Sequence, residues 1–164
     1  MNRISRLAWL AYVVAIAVII ADQATKAWIL GPFDLPDRGP VPVAASLRLT
    51  MVWNRGVSFG LLGASGDFGR WALVIFEAGV AVALGVWARR AERPLLALAL
   101  GFVMGGALGN VIDRARFGAV VDFIDVTALH FPWVFNIADS AINIGVALLL
   151  WDALFAGKPA ATNA

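Results

Sequence analysis

WALVIFEAGVAVALGVWA (Trp71–Ala88), RRAERP (Arg89–Pro94) and LLALALGFVMGGALGNVI (Leu95–Ile112) follow one another without a break. Two apolar runs of 18 residues thus flank a short charged turn closed by proline. A helix needs about 20 apolar residues to cross the hydrocarbon core of a bilayer, and these runs fall within that tolerance. The stretch reads as two antiparallel spans joined by a tight hairpin. Working outward, two further apolar runs appear, Leu7–Leu30 and Trp133–Ala156. The expected fold is all-α and polytopic: four transmembrane helices in one domain, residues 1–164. External segments are expected at about 31–70 and 113–132.

Composition agrees with this plan. The 164 residues are 61% hydrophobic and only 15% charged, against roughly 45–50% and about 25% in soluble domains. Mean hydropathy is +0.81. The seven tryptophans suit interfacial positions. Arg3 and Arg6 before Leu7–Ala21 also fit the n- and h-regions of a cleavable signal peptide. The run continues through Ala27-Trp28-Ile29-Leu30, however, which makes a full span.

Loop charge gives the orientation. Arg3, Arg6, Arg89, Arg90, Arg93 and Lys158 fall on one side, six against seven on the other. The six are packed into short tails and one turn, as the positive-inside rule requires. Both termini and the Arg89–Arg93 turn are therefore expected in the cytoplasm.

The external segments differ in character. Gly31–Pro42 holds four prolines and two glycines and reads as loop or extended chain. Leu47–Trp53 alternates, and Val120–Val126 is rich in β-branched and aromatic residues, so a small external sheet is expected. The tail Pro-Ala-Ala-Thr-Asn-Ala reads as disordered.

Several chemistries are excluded. Without cysteine there is no disulfide, thiolate nucleophile or cysteine zinc site, and His130 is the single histidine. Scattered basic residues form no nucleic-acid stripe. No metal or cofactor is implied, and a monomer is expected.

The polar residues inside spans are not random. Asp22 and Lys26 (i, i+4), Asn110 and Asp113 (i, i+3), and Asn136, Asp139 and Asn143 (i, i+3, i+7) all converge on the external end. Such groups face a bundle interior or a wet cavity, because lipid cannot satisfy them. Glu77, mid-span, has no partner in its own segment. Gly101, Gly105 and Gly109 repeat at a spacing that lets helix backbones approach closely.

Four aspartates lie at that end: Asp22, Asp113, Asp122 and Asp139. Paired carboxylates share a proton, and one can activate water while the other protonates the substrate. Other readings stay open on the residues alone. Asp22 with Lys26, and Asp113 with Arg114, fit plain ion pairs. The cluster also fits a small proton-coupled transporter, or an assembly factor packed through glycine and asparagine. Neither rival accounts for Asp122 in its apolar Val-Val-Asp-Phe-Ile run.

Five motifs carry a resemblance: Asp22-Gln23-Ala24-Thr25-Lys26, Asn54-Arg55-Gly56-Val57-Ser58-Phe59, Gly105–Arg114, Val120-Val121-Asp122-Phe123 and Phe135-Asn136-Ile137-Ala138-Asp139. In order and spacing the chain resembles bacterial lipoprotein signal peptidase, the type II signal peptidase, over nearly its whole length. The resemblance implies a catalytic aspartic dyad, Asp122 and Asp139. It implies supporting roles for Asp22, Lys26, Asn54, Asn110, Asp113, Arg114 and Asn136, and Arg55, Gly56 and Asn143 join them as candidate substrate or dyad contacts. The implied substrate is a diacylglyceryl-modified prolipoprotein, held by membrane lipid and cleaved before the lipidated cysteine. The implied inhibitor is globomycin, and the implied place is the periplasmic face of the inner membrane.

Overall fold

A computed structural model describes residues 5–56, 67–129, 131 and 133–155. Val57–Phe59 of the motif that begins at Asn54, the terminal charges Arg3 and Lys158, and the tail at 159–164 lie outside them.

Four helices are long and apolar enough to cross a membrane: α1 (Arg6–Leu30), α3 (Asp67–Ala88), α4 (Pro94–Phe117) and α5 (Ile137–Phe155). The second and third spans are longer than the hydropathy implied. Helix α3 begins four residues earlier than Trp71. Helix α4 runs past Ile112 and stops where Gly118 takes the left-handed conformation, φ 76°, with its N–H donating to the Arg114 carbonyl. Asp113 and Arg114 are thus helical residues. The fourth span is shorter than expected. Trp133–Asn136 precedes it, because Asn136 caps the helix and Val134–Phe135 forms strand β4.

Helix α4 is the hub, packed against α1, α3 and α5. Its glycines explain how. A Cβ on Gly101 would lie 2.6 Å from the Ala11 carbonyl oxygen, and one on Gly105 2.7 Å from that of Ala15, so only glycine admits α1 this closely. Gly106 faces α5 instead: a Cβ there would collide with the Ala138 carbonyl oxygen. The expected stripe of Gly101, Gly105 and Gly109 lies along α1, and Gly109 also meets Ala138 of α5. On the opposite surfaces Trp9, Val13, Ile16 and Ile20 of α1, Ile75, Phe76 and Val82 of α3, and Ile144 and Leu150 of α5 are exposed. In water that would be a liability, but against lipid it is the required outer face.

The residues between α1 and α3, and between α4 and α5, build one antiparallel sheet in the order β1-β2-β3-β4. The strands are β1 (Val41–Ala44), β2 (Leu47–Asn54), β3 (Val120–Asp125) and β4. Both expected strands, β2 and β3, are there. The proline-rich stretch is not wholly extended: Leu35–Arg38 forms a one-turn helix, α2, with a proline in its first turn. Central β3 is buried except at Ile124. Val121 and Phe123 pack with Ile29 and Leu35 beneath the sheet, which ties it to the end of α1.

Candidate active site

Two polar clusters adjoin at the C-terminal ends of α1 and α4 and the N-terminal end of α5. The first is ionic. Lys26 Nζ lies 2.8 Å from Asp22 Oδ2 and 2.7 Å from Asp113 Oδ2. Lys26 and both carboxylates are buried. Gln23 donates to Asp113 Oδ1 at 2.9 Å and to Asp22 Oδ2 at 3.1 Å, so one amide spans both acids. Both acids also hold backbone: Asp22 Oδ1 accepts from Ala138 N at 3.0 Å, and Asp113 Oδ2, besides meeting Lys26, accepts from Val121 N at 3.0 Å. This cluster therefore fixes the start of α5 and the start of β3, the two elements that carry Asp139 and Asp122.

In the second cluster neither carboxylate is in contact with a cation among the described residues. Asp122 is 1% exposed. Its Oδ2 accepts from Asn54 Nδ2 at 2.9 Å and its Oδ1 from Asn136 Nδ2 at 2.7 Å. Asn54 reaches it diagonally, because Asn54 pairs with Val120 across β2–β3 and so shares a face with Asp122. Asp139 sits in the first turn of α5, half-buried. Asn136 and Asp139 form a reciprocal cap: Asp139 N donates to Asn136 Oδ1 at 2.9 Å, and Asn136 N to Asp139 Oδ2 at 3.3 Å. Asn110 Nδ2 donates to Asp139 Oδ1 at 2.9 Å. Asn136 also donates to Asn110 Oδ1 at 3.3 Å, which closes a chain of amides between the two carboxylates.

Burial, reinforced by the nearby Asp139 charge, raises the Asp122 pKa to about 7. Its amide partners pull the other way without cancelling this. On the same strand Asp125 is held at about 2, chiefly by hydrogen bonds from Thr127 and Thr50, with Arg48 adding its charge.

The other buried or half-buried acids all have cations within reach. Asp22 and Asp113 share Lys26, Glu77 meets Arg114 Nη1 at 2.8 Å, Asp125 meets Arg48 Nη2 at 3.0 Å, and Asp152 meets Arg93 Nη2 at 2.9 Å. Of the buried and half-buried acids described, Asp122 and Asp139 alone have no cation in contact, and Lys26 acts on Asp122 only from beyond contact distance.

Of the residues singled out from sequence, Asp22, Lys26, Asn54, Asn110, Asp113, Asp122, Asn136 and Asp139 come together here. Arg114 is adjacent and pairs with Glu77 rather than with Asp113. Gly56 has φ 81°, as a turn glycine should, and donates its N–H to Asn54 Oδ1 at 2.8 Å. Arg55 is exposed and makes no hydrogen bond or ion pair among the described residues. Asn143 departs from expectation. It is exposed, one turn beyond Asp139, with no hydrogen bond to either cluster among the described residues. Helix α5 packs on α4 and α1 but barely touches α3, so this face stays uncovered. Two contributors were not singled out. Gln23 stands inside a quoted motif, as a polar residue in an apolar span. Arg70 donates from Nε to the Arg114 carbonyl and from Nη2 to that of Ala115, both at 2.8 Å, and so caps the end of α4.

Residues 14–155 match the family model described as signal peptidase (SPase) II. A lipoprotein signal peptidase of Caulobacter vibrioides is 52% identical over 91% of this chain and 89% of its own. One of Methylorubrum extorquens is 47% identical over 85% and 82%, and one of Rhodopseudomonas palustris 43% identical over 94% and 95%. A solved structure, described as a bacterial membrane enzyme determined by the in meso method at 1.9 Å resolution, superposes with a TM-score of 0.78 at 31% identity. It covers 96% of this chain and 99% of that one. These likenesses lend no support to a transporter.

Proposed function

The chain belongs to the signal peptidase II family and is an aspartic peptidase of the bacterial membrane; from that premise we propose that it removes the signal peptide from diacylglyceryl-modified prolipoproteins with Asp122 and Asp139 as its catalytic pair. The observation that carries the pair is the contrast in charge: these two acids, and no other buried or half-buried acid in the described structure, have no cation in contact.

The reaction follows from their surroundings. Asp122, poised near neutrality, holds the shared proton. Asp139, at the positive end of α5, is the base. Asp139 takes a proton from water as the water oxygen attacks the scissile carbonyl, and Asp122 gives its proton to the carbonyl oxygen. The tetrahedral diol collapses when Asp139 passes its proton to the leaving amine and Asp122 recovers its own from a diol hydroxyl. The C–N bond is cleaved and both carboxyls return to their starting state. Asn54, Asn110 and Asn136 keep the pair oriented. Asp22, Lys26 and Asp113 hold the backbone beneath it. Arg55, Gly56, Arg114 and Asn143 line the approach of substrate.

Loop charge supports an inner-membrane protein with both termini in the cytoplasm and the sheet on the periplasmic side. The substrate's acyl chains and apolar signal helix then stay in lipid, while its scissile bond reaches the pair at the outer leaflet. The protein acts as a monomer, in a single domain, and globomycin is its expected inhibitor.

The test is cleavage of a diacylglyceryl-modified prolipoprotein by the detergent-purified protein, followed by gel shift. Release of the signal peptide, blocked by globomycin, is expected. A wild-type protein inert on this substrate would overturn the reading.

A further inference from the structure

Glu77 stands in the middle of an apolar span, and the cleavage reaction above makes no use of it. Both of its carboxylate oxygens accept from the same nitrogen, Arg114 Nη1, at 2.9 and 2.8 Å. A guanidinium offers a carboxylate a better arrangement, two parallel bonds from neighbouring nitrogens. Here that fork is not used. Arg114 is 6% exposed, and its Nε is buried without a hydrogen-bond partner among the described residues. A buried donor on a charged group is costly to leave unpaired and calls for an explanation.

The free edge has a direction. A Cβ on Gly56 would lie 3.3 Å from Arg114 Nη2 and 3.8 Å from Nε, and would collide with Leu73 Cδ1 of α3. The unused edge thus looks onto a residue with no side chain, two positions after Asn54, the partner of Asp122. The backbone of Arg114 is also held: its carbonyl accepts from Arg70. Arg70 and Glu77 are seven residues apart on α3 and share one helical face. One face of α3 therefore fixes both the backbone and the Nη1 end of this arginine.

We propose that Glu77 is a positioning residue: it grips Arg114 by Nη1 so that the Nε–Nη2 edge is presented, beside Gly56, to a backbone carbonyl of the bound substrate peptide. The inference rests on the proteolytic reading above. Glu77 touches no reacting atom and acts through Arg114. The substrate carbonyl then supplies the buried Nε with its acceptor on binding.

Steady-state cleavage by Glu77→Gln, Glu77→Ala and Arg114→Lys variants, each with its thermal midpoint in detergent, tests this. Loss of a charge-assisted hydrogen bond corresponds to roughly a tenfold rise in KM or more. That rise is expected for Glu77→Ala, with a smaller one for Glu77→Gln and kcat within about threefold of wild type in both. In an Arg114→Lys background, adding Glu77→Gln should change KM no further. Unchanged KM in the Glu77 variants overturns the proposal. So does a fall in midpoint with kcat and no shift in KM, or failure of Glu77→Gln to fold, because each marks a structural clamp. If the wild type does not cleave, both readings fall; if it cleaves and only the Glu77 variants match it, this one alone falls.

Discussion

Asp22 and Asp113 share a lysine, whereas Asp122 and Asp139 share only amides. The two clusters adjoin, and Asn110 touches both through Lys26 at 3.5 Å and Asp139 at 2.9 Å. In the first, every carboxylate oxygen is committed to Lys26, Gln23 or a backbone N–H. The work of such acids is to fasten elements. In the second, amides orient the carboxylates without neutralising them. Removing a charge should therefore injure the first cluster and relieve the second.

The sharpest break of this comparison is Asp122→Asn or Asp139→Asn. Either should reduce cleavage by at least about 10³-fold, since catalytic groups acting as a unit fail together, while the thermal midpoint stays level or rises. Turnover near normal in either variant would remove the dyad assignment. Next comes Lys26→Met. It strands Asp22 and Asp113 with no cation, and unpairing buried charges costs about 3–5 kcal/mol. Reversible unfolding in mixed micelles should show that loss. If instead Asp122→Asn destabilised more than Lys26→Met, the two roles would be reversed.

The pH dependence sharpens the contrast along a single strand. The Asp122 pKa is raised to about 7, so its folded form binds a proton more tightly than the unfolded chain. Its contribution to stability is complete below the unfolded value near 3.8 and is lost as pH rises through about 7. Cleavage should fall over the upper part of that window as the shared proton leaves. Asp125 has the opposite sign: held at about 2, it stabilises above about 3.8, and that contribution is lost as pH falls through about 2. Acid titration of Asp125→Asn against wild type should reveal this. The smallest effect is on activity: Asp125→Asn should cost about 1 kcal/mol of stability and leave kcat/KM nearly unchanged.

Much of this was legible in the sequence because it is local. Hydropathy marked the four spans, alternation marked β2 and β3, and helical spacing put Asp22, Asn110, Asp113 and Asp139 at one end. What escaped depends on partners far along the chain. Glu77 finds Arg114 37 positions later, and no periodicity links them. By hydropathy Asn136 falls within the fourth span, although Asn136 and Asp139 at i, i+3 also fit a helix cap; strand β4, which claims Val134–Phe135, decides between the two. Asn143 shows the limit most plainly. Spacing puts it one turn from Asp139, but only the failure of α3 and α5 to pack together leaves that turn uncovered.

The hydrogen bond from Ala138 N to Asp22 Oδ1 joins residues 116 positions apart, and it has a bearing on how the protein is made. A chain grows from its N-terminus, so the Asp22–Lys26 pair is complete as soon as α1 exists. Asp113 joins it with α4, and the second oxygen of Asp22 is satisfied only when the last helix arrives. Asp139 lies one residue beyond that bond. With Asp122 and Asp139 as the proposed pair, the hydrolytic centre is completed only as this scaffold closes, and an unfinished chain in the membrane lacks the means to attack its neighbours.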